Sequence, residues 1–144
     1  MPREDFRQSS SLRVRWAEVD PQGIVFNANY LMYFDVGVGE YWREIGFPYP
    51  DGFSKLGFDS FAVKATLEFR SSAFYDDVLD LLVRTSRLGR TSMQLSLEIH
   101  RTDTLLVSGE LIYVVASKDT RQPLPIPDAF RATIAAYERV APER

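Results

Sequence analysis

The chain has 144 residues, of which 45% are hydrophobic, 13% are aromatic and 26% are charged, and its formal net charge is −3. This composition is too apolar for a disordered chain, so we expect a single domain over residues 1–144 with its own core. No apolar run approaches the roughly 20 residues of a membrane helix, which predicts that the chain has no membrane partner. The 17 basic residues are scattered, which disfavours a nucleic-acid partner.

The chain contains no cysteine and one histidine, His100. Disulfides, thiolate nucleophiles and zinc–thiolate sites are therefore excluded, and a Ser-His-Asp triad would depend on His100 alone. The strand pattern around His100 predicts a solvent-exposed side chain on a polar face. We expect no metal site. The N-terminal sequence MPREDFRQSS has mixed charges and no apolar segment, unlike a secretory signal, and favours a cytoplasmic location.

The first predicted element is a strand over residues 11–18. Apolar and polar side chains alternate there, and we predict that Leu12, Val14 and Trp16 face the core.

The second predicted element is a helix over residues 30–45. Its apolar residues follow helical spacing on more than one stripe, which predicts a largely enclosed helix. Asn27 or Asn29 is the expected N-cap, and Gly46 is the expected C-terminal stop.

The remaining patterns predict four strands and a short helix. Residues 63–70, 79–83 and 93–100 alternate, and residues 105–116 are more evenly apolar. Short connections between the last strands favour an antiparallel sheet. An evenly apolar strand is expected to be covered on both faces, which predicts a homodimer. After three prolines, Asp128 is the expected cap of the short C-terminal helix.

The sequence Asp20-Pro21-Gln22-Gly23 leads through apolar residues 24–26 into the predicted helix. Asp, Pro and Gly at these spacings are typical of a type I turn, in which the Asp side chain accepts local amide hydrogen bonds. A structural role is therefore one interpretation of Asp20. The other is chemical, because a carboxylate beside unpaired helix amides and an apolar cavity can act on an activated acyl carbonyl. Glu18 and Asp35 are the other candidate carboxylates near the helix start.

Residues 20–30, DPQGIVFNANY, and the aromatic-rich helix after them resemble the signature of the 4-hydroxybenzoyl-CoA thioesterase family of hotdog-fold acyl-CoA thioesterases. Together with YDDVL at 75–79 and the strand order, the similarity extends over roughly residues 10–117. The resemblance implies an α+β hotdog fold, in which an antiparallel sheet wraps around a long central α-helix, here followed by a short C-terminal helix. It also implies a homodimer or homotetramer, with the small-molecule acyl-CoA substrate bound between subunits and no cofactor, since coenzyme A is part of the substrate.

The resemblance also implies roles for individual residues. Asp20 matches the catalytic carboxylate, as nucleophile or general base, and the backbone N–H of Asn27 matches the amide that polarises the thioester carbonyl. Relatives commonly carry Tyr or His where this chain has Asn27. The same motif implies that Gly23, Phe26 and Tyr30 belong to the substrate site.

The connection SRLGRTS, residues 86–92, aligns with a basic stretch that holds coenzyme A phosphates. Arg87 and Arg90 are the candidate ligands, because guanidinium groups match phosphate oxygens. Ordinary exposed hairpin arginines are the alternative interpretation.

The predicted function is hydrolysis of an acyl-CoA thioester. A hotdog module that binds acyl-CoA or another acyl ligand without catalysis is the alternative. A hotdog dehydratase is a weaker third interpretation, because such enzymes use a histidine with a carboxylate and no histidine lies near the helix start.

Overall fold

The computed structural model describes all 144 residues and contains one antiparallel sheet, one long helix and two shorter α-helices. The helices are α1 (Asn29–Glu44), α2 (Asp51–Ser54) and α3 (Asp128–Tyr137). The strands are β1 (Gln8–Arg13), β2 (Phe58–Phe69), β3 (Val78–Leu88), β4 (Ser92–Arg101) and β5 (Thr104–Ser117). The predicted order of strand, helix, four strands and helix is confirmed, and α2 is an addition to it.

The sheet has the order β1-β3-β4-β5-β2, and every neighbouring pair is antiparallel. α1 packs closely against one face, because a Cβ atom added at Gly37 would lie 3.2 Å from Val83 and 3.3 Å from Leu81. The predicted hotdog fold, with an antiparallel sheet around a long central helix and a short C-terminal helix, is confirmed. No helix of the chain is long and apolar enough to cross a membrane.

One side of α1 forms the centre of the core. Its buried residues recur every three or four positions, which is the spacing of one helix face. They are Tyr30, Tyr33, Phe34, Gly37, Val38, Tyr41 and Trp42. The opposite side exposes Leu31, Met32 and Val36, each by about 40% of its surface. The prediction of a largely enclosed helix is therefore wrong for the single chain.

The predicted strand over 11–18 is wrong beyond Arg13. Residues Trp16–Glu18 form a 3₁₀ turn, and Trp16 is 73% exposed instead of facing the core. The physical reason is local: the Glu18 carboxylate accepts the Arg15 N–H at 2.9 Å, which turns the chain away from the sheet.

The predicted C-terminal stop at Gly46 is confirmed, because α1 ends at Glu44 and Gly46 follows with a φ of +94°. The predicted N-caps are wrong. Ala28 is the N-cap of α1 and makes no side-chain capping bond, while the Asn29 side chain donates to the Glu18 carbonyl at 2.9 Å instead. Pro127, not Asp128, is the N-cap of α3.

β2 is an edge strand, and some of its apolar side chains are exposed although the alternating sequence is typical of a half-buried strand. Val63 and Phe69 belong to the apolar positions of the alternating segment 63–70, yet they are 60% and 56% exposed. β2 has β5 as its only neighbour, and a bulge between Ala62 and Lys64 shifts its register. The outer edge of this twelve-residue strand carries no pairing partner within the chain.

The prediction of a solvent-exposed His100 is wrong. Its side chain is buried, and Nε2 lies 2.8 Å from Oε1 of Glu98. The N-terminal residues lie over this face of the sheet, where Arg3 donates to Asp80 at 2.7 Å. The alternation within β4 correctly places His100 on a polar face, but it cannot reveal that the N-terminal segment covers this face.

A buried carboxylate fixes the C-terminal segment to the core. Oε2 of Glu138 accepts the Tyr41 hydroxyl at 2.5 Å and the Thr85 N–H at 2.7 Å, while Oε1 has no hydrogen-bond partner. Burial raises the pKa of Glu138 above its ordinary value, against the opposing effect of these donors.

This raised pKa predicts a pH dependence of stability. A carboxyl group whose pKa is higher in the folded chain stabilises the fold below its unfolded pKa of about 4.3, and this contribution is lost as pH rises through the folded value. Glu138→Gln keeps an acceptor for both donors without the charge. Its stability relative to wild type is therefore expected to improve from about pH 4 to about pH 8, measured by thermal unfolding. Glu143→Gln, at an exposed carboxylate, is the control, and an equal slope for both variants would contradict this account.

Candidate active site

The turn predicted at residues 20–23 is present. The Asp20 carbonyl accepts the Gly23 N–H at 2.9 Å, and Asp20 Oδ1 accepts the Gln22 N–H at 2.8 Å. Gly23 has a φ of +79°, a conformation that favours glycine. The structural role of Asp20 is thus observed. Its second oxygen, Oδ2, makes no hydrogen bond, and the side chain is half-buried.

Three backbone contacts fix the segment between this turn and α1. Val19 and Val25 form an isolated antiparallel bridge. The Val25 N–H donates to the Ala73 carbonyl, and the Phe26 N–H donates to the Glu18 carbonyl, both at 2.9 Å. The chain therefore enters α1 along a fixed path.

Glu18 has a structural role. Its Oε1 accepts the Tyr33 hydroxyl at 2.9 Å, and its Oε2 accepts Nε of Arg15 at 2.6 Å. Burial alone would raise the pKa of Glu18, but the hydrogen bonds from Arg15 and Tyr33 prevail and lower it. Since both oxygens are occupied, Glu18 is a poor candidate for chemistry, and Asp20 remains the carboxylate with a free oxygen in this segment.

The amides at the start of α1 are the second feature of the site. Asn29 N–H donates to the Phe26 carbonyl at 2.9 Å, and Tyr30 N–H donates to the Asn27 carbonyl at 3.2 Å. The N–H groups of Asn27 and Ala28 make no hydrogen bond within the chain. The start of a helix also carries a partial positive charge of roughly half a unit. These amides can therefore receive negative charge on a ligand oxygen.

A cavity of about 340 Å³ lies at this end of α1. Its lining residues come from the loop before α1, from α1 itself and from the end of β2 with the connection after it. They are Ile24, Val25, Asn27, Tyr30, Phe69, Arg70, Ser71 and Ser72.

The sequence-predicted residues divide between the cavity wall and its approach. Asn27 and Tyr30 lie in the wall. Asp20 and Gly23 lie in the turn that leads to it, and Phe26 is 49% exposed beside the start of α1. The contribution of residues 69–72 was missed, because strand alternation gives no signal for the end of β2 meeting α1.

Arg87 and Arg90 lie elsewhere in the chain. They line a second cavity of about 510 Å³ with Leu88, Gly89, Arg131 and Arg144. β3 separates this hairpin from the connection that contacts Tyr30, and its eleven residues span roughly 35 Å at about 3.3 Å each. Within one chain, the structure does not bring these arginines together with Asp20.

Arg131 of α3 is a basic residue that the sequence analysis missed. Its guanidinium donates to the Gly89 carbonyl at 2.6 Å and so fixes the hairpin that carries Arg87 and Arg90. No group of three or more His, Cys, Asp or Glu side chains is placed to hold a metal ion.

The family of the chain follows from a comparison with protein-family models. The model of the thioesterase-like superfamily matches residues 14–134. The chain belongs to this superfamily. The matched range contains the Asp20 turn, the whole of α1 and the four strands β2 to β5.

Individual members are similar over most of this thioesterase-like chain. A protein of Aquifex aeolicus (strain VF5) named "Putative esterase" is 34% identical over 91 residues, which are 63% of this chain and 70% of that protein. A protein of Bacillus subtilis (strain 168) named "Putative acyl-CoA thioesterase YneP" is 25% identical over 129 residues, 89% of this chain and 93% of that one.

A solved structure gives the same result for the fold. The structure of BH1999 gentisyl-coenzyme A thioesterase superposes with a TM-score of 0.79 at 25% identity, and covers 89% of this chain and 99% of that one. Superfamily membership and the thioesterases among these relatives support thioester hydrolysis as the class of activity.

Proposed function

We propose that this chain is an acyl-CoA thioesterase of the 4-hydroxybenzoyl-CoA thioesterase type. The observation that carries the proposal is the pair of unpaired amides at Asn27 and Ala28, which lie beside a cavity directly after the Asp20 turn. The names of the two acyl-CoA thioesterases similar to this chain support a coenzyme A ester as substrate.

In this proposal, Asp20 carries the chemistry and Asn27 N–H stabilises the charge on the thioester oxygen. The Asp20 carboxylate either attacks the carbonyl carbon, which gives a mixed anhydride that water hydrolyses, or removes a proton from an attacking water. In both routes the C–S bond breaks, coenzyme A leaves as the thiolate, and water supplies the oxygen and protons of the products. Gly23 shapes the turn, while Phe26 and Tyr30 contact the acyl-pantetheine arm.

A homodimer would complete this site. The edge strand β2 exposes Val63 and Phe69, and its outer backbone donors and acceptors are unpaired. α1 exposes Leu31 and Val36. Exposed apolar side chains of this kind favour contact with a second copy of the chain. A twofold pairing of antiparallel β2 edges would place the start of α1 beside the end of the partner's α1.

Such a pairing would bring Arg87 and Arg90 of the partner subunit to the same end as Asp20, where they would bind coenzyme A phosphates. Sedimentation analysis is expected to give twice the chain mass of 16.5 kDa, or four times if dimers pair. A monomer at micromolar concentration would contradict the shared site.

The test of the proposed function is a hydrolysis screen with purified protein. Short-chain, long-chain and aromatic acyl-CoA esters are assayed as substrates, and the release of free coenzyme A thiol is measured. At least one ester is expected to reach kcat/KM of about 10⁴ M⁻¹s⁻¹ or more, the ordinary range of enzymes. Failure to hydrolyse any ester of the panel would overturn the proposal.

Binding without hydrolysis is the second candidate. It is favoured by one observation: Oδ1 of Asp20 is engaged in its turn, and Asp20 is absent from the cavity wall. Thermal stabilisation by acyl-CoA, with the ester recovered intact after incubation, would support this function and exclude the first.

A further inference from the structure

We infer that the Tyr30 hydroxyl is a second hydrogen-bond donor to the thioester carbonyl, beside the N–H of Asn27. The inference rests on the proposed function and assigns Tyr30 a specific part in it. Its basis is an unused proton on a buried side chain at the cavity.

The Tyr30 hydroxyl has one acceptor bond and no donor bond. It accepts the Ala73 N–H at 3.0 Å, and it makes no other hydrogen bond. A phenol can both accept and donate, so its proton has no acceptor in the chain. The residue is only 3% exposed, yet it forms part of the cavity wall together with Asn27. A buried unused donor at a cavity is a site for a ligand acceptor.

The ring is held in place before a ligand arrives. Tyr33 packs against it edge-on, with ring centroids 5.9 Å apart, and Phe69 packs at 5.7 Å. The Ala73 amide fixes the hydroxyl oxygen. Burial raises the pKa of Tyr30 above its ordinary value, although the Ala73 N–H and the charge of Arg101 act to lower it, so the phenol keeps its proton at neutral pH. Donors fixed in this way stabilise a developing charge without reorganisation.

The other polar side chains of the cavity are less suitable. Arg70 is exposed just after the edge strand β2, and its guanidinium is bound to Glu68 at 2.8 Å. The hydroxyl of Ser71 belongs to an exposed residue, and that of Ser72 to a half-buried one, so water competes for both. Tyr30 is the donor that combines burial, a fixed position and a free proton.

The chemical step needs no proton transfer from Tyr30. As the carbonyl carbon becomes tetrahedral, its oxygen gains negative charge, and the hydrogen bonds from Tyr30 and Asn27 strengthen. When the C–S bond breaks, the carbonyl re-forms and the phenol is unchanged. The hydrogen bond from Tyr30 is therefore expected to raise kcat and to have little effect on substrate binding in the ground state.

The first test compares Tyr30→Phe with Tyr75→Phe, a control that removes a phenol from an exposed residue outside the cavity. Loss of one such donor typically lowers kcat about 10²-fold. We expect that loss for Tyr30→Phe with KM nearly unchanged, and wild-type kinetics for Tyr75→Phe. Thermal unfolding of each variant shows whether the fold is kept.

The second test separates donation from the structural bond to Ala73. Fluorotyrosines incorporated at position 30 keep the ring and its acceptor oxygen but make the proton a stronger donor. At a pH where each phenol stays protonated, kcat is expected to rise as the phenol pKa falls. A rate independent of phenol acidity, or Tyr30→Phe with wild-type kcat, would overturn the inference. If wild type itself hydrolyses no acyl-CoA ester, the proposed function fails instead, and the inference fails with it.

Discussion

Asp20→Asn is expected to lower kcat for acyl-CoA hydrolysis about 10²–10⁴-fold, the range for loss of a catalytic acid or base. The reason is the loss of the carboxylate charge at nearly constant shape. The side-chain oxygen of the variant still accepts the Gln22 N–H, so the turn should be retained. The loss should therefore appear in the rate without a comparable loss of stability.

The measurement is the rate of thiol release under saturating substrate, with thermal unfolding recorded on the same preparations. Asp76→Asn is the matched control, because Asp76 is an exposed carboxylate paired with an equally exposed Arg13 at 3.1 Å. The control should hydrolyse the ester at the wild-type rate. Equal rates for Asp20→Asn and wild type would remove Asp20 from the mechanism.

Gly109→Ala is expected to destabilise the fold by about 3 kcal/mol or more, the upper part of the range for overpacking a core. An added Cβ would lie 2.1 Å from the Thr66 carbonyl oxygen and 2.8 Å from the Phe34 ring. The first neighbour is backbone of the paired strand, and the second is a fully buried ring of α1. Movement of the first would disturb the pairing of β2 with β5, and movement of the second would displace α1 from the sheet.

Urea unfolding followed by tryptophan fluorescence measures this cost. Ser108→Ala, at the adjacent position on the opposite face of β5, is the control and should stay within about 0.5 kcal/mol of wild type. A Gly109→Ala variant as stable as its control would show that α1 does not pack against β5 as described.

The long helix was predictable because its signal is local and redundant. Seven apolar or small residues of one face repeat at helical spacing, so single exceptions do not obscure the pattern. The ends of the strands were harder to predict. β3 continues to Leu88, well beyond the predicted 79–83, because backbone pairing with β4 extends it regardless of side-chain alternation.

The candidate site was predictable only in part, because some of its residues are local in sequence and others meet only in the folded chain. The Asp20 turn depends on four consecutive residues and their intrinsic conformations. The cavity depends on Phe69 and Ser72, which are distant in sequence and meet α1 only through the fold.

The path of the chain into α1 and the position of the β3–β4 hairpin each depend on a distant partner. Val25 pairs with the Ala73 carbonyl, and Arg131 reaches the Gly89 carbonyl from a helix about forty residues further along the chain. Neither contact can be predicted from the hydrophobic periodicity of the segment in which it lies.

The proposed mechanism depends on where the thioester lies in the cavity. A crystal structure of the Asp20→Asn variant with an unhydrolysed acyl-CoA tests it most directly. We expect the carbonyl oxygen about 3 Å from the Asn27 nitrogen, and the carbonyl carbon about 3.5 Å from the side chain at position 20 or one water away. A thioester bound with neither contact would contradict it.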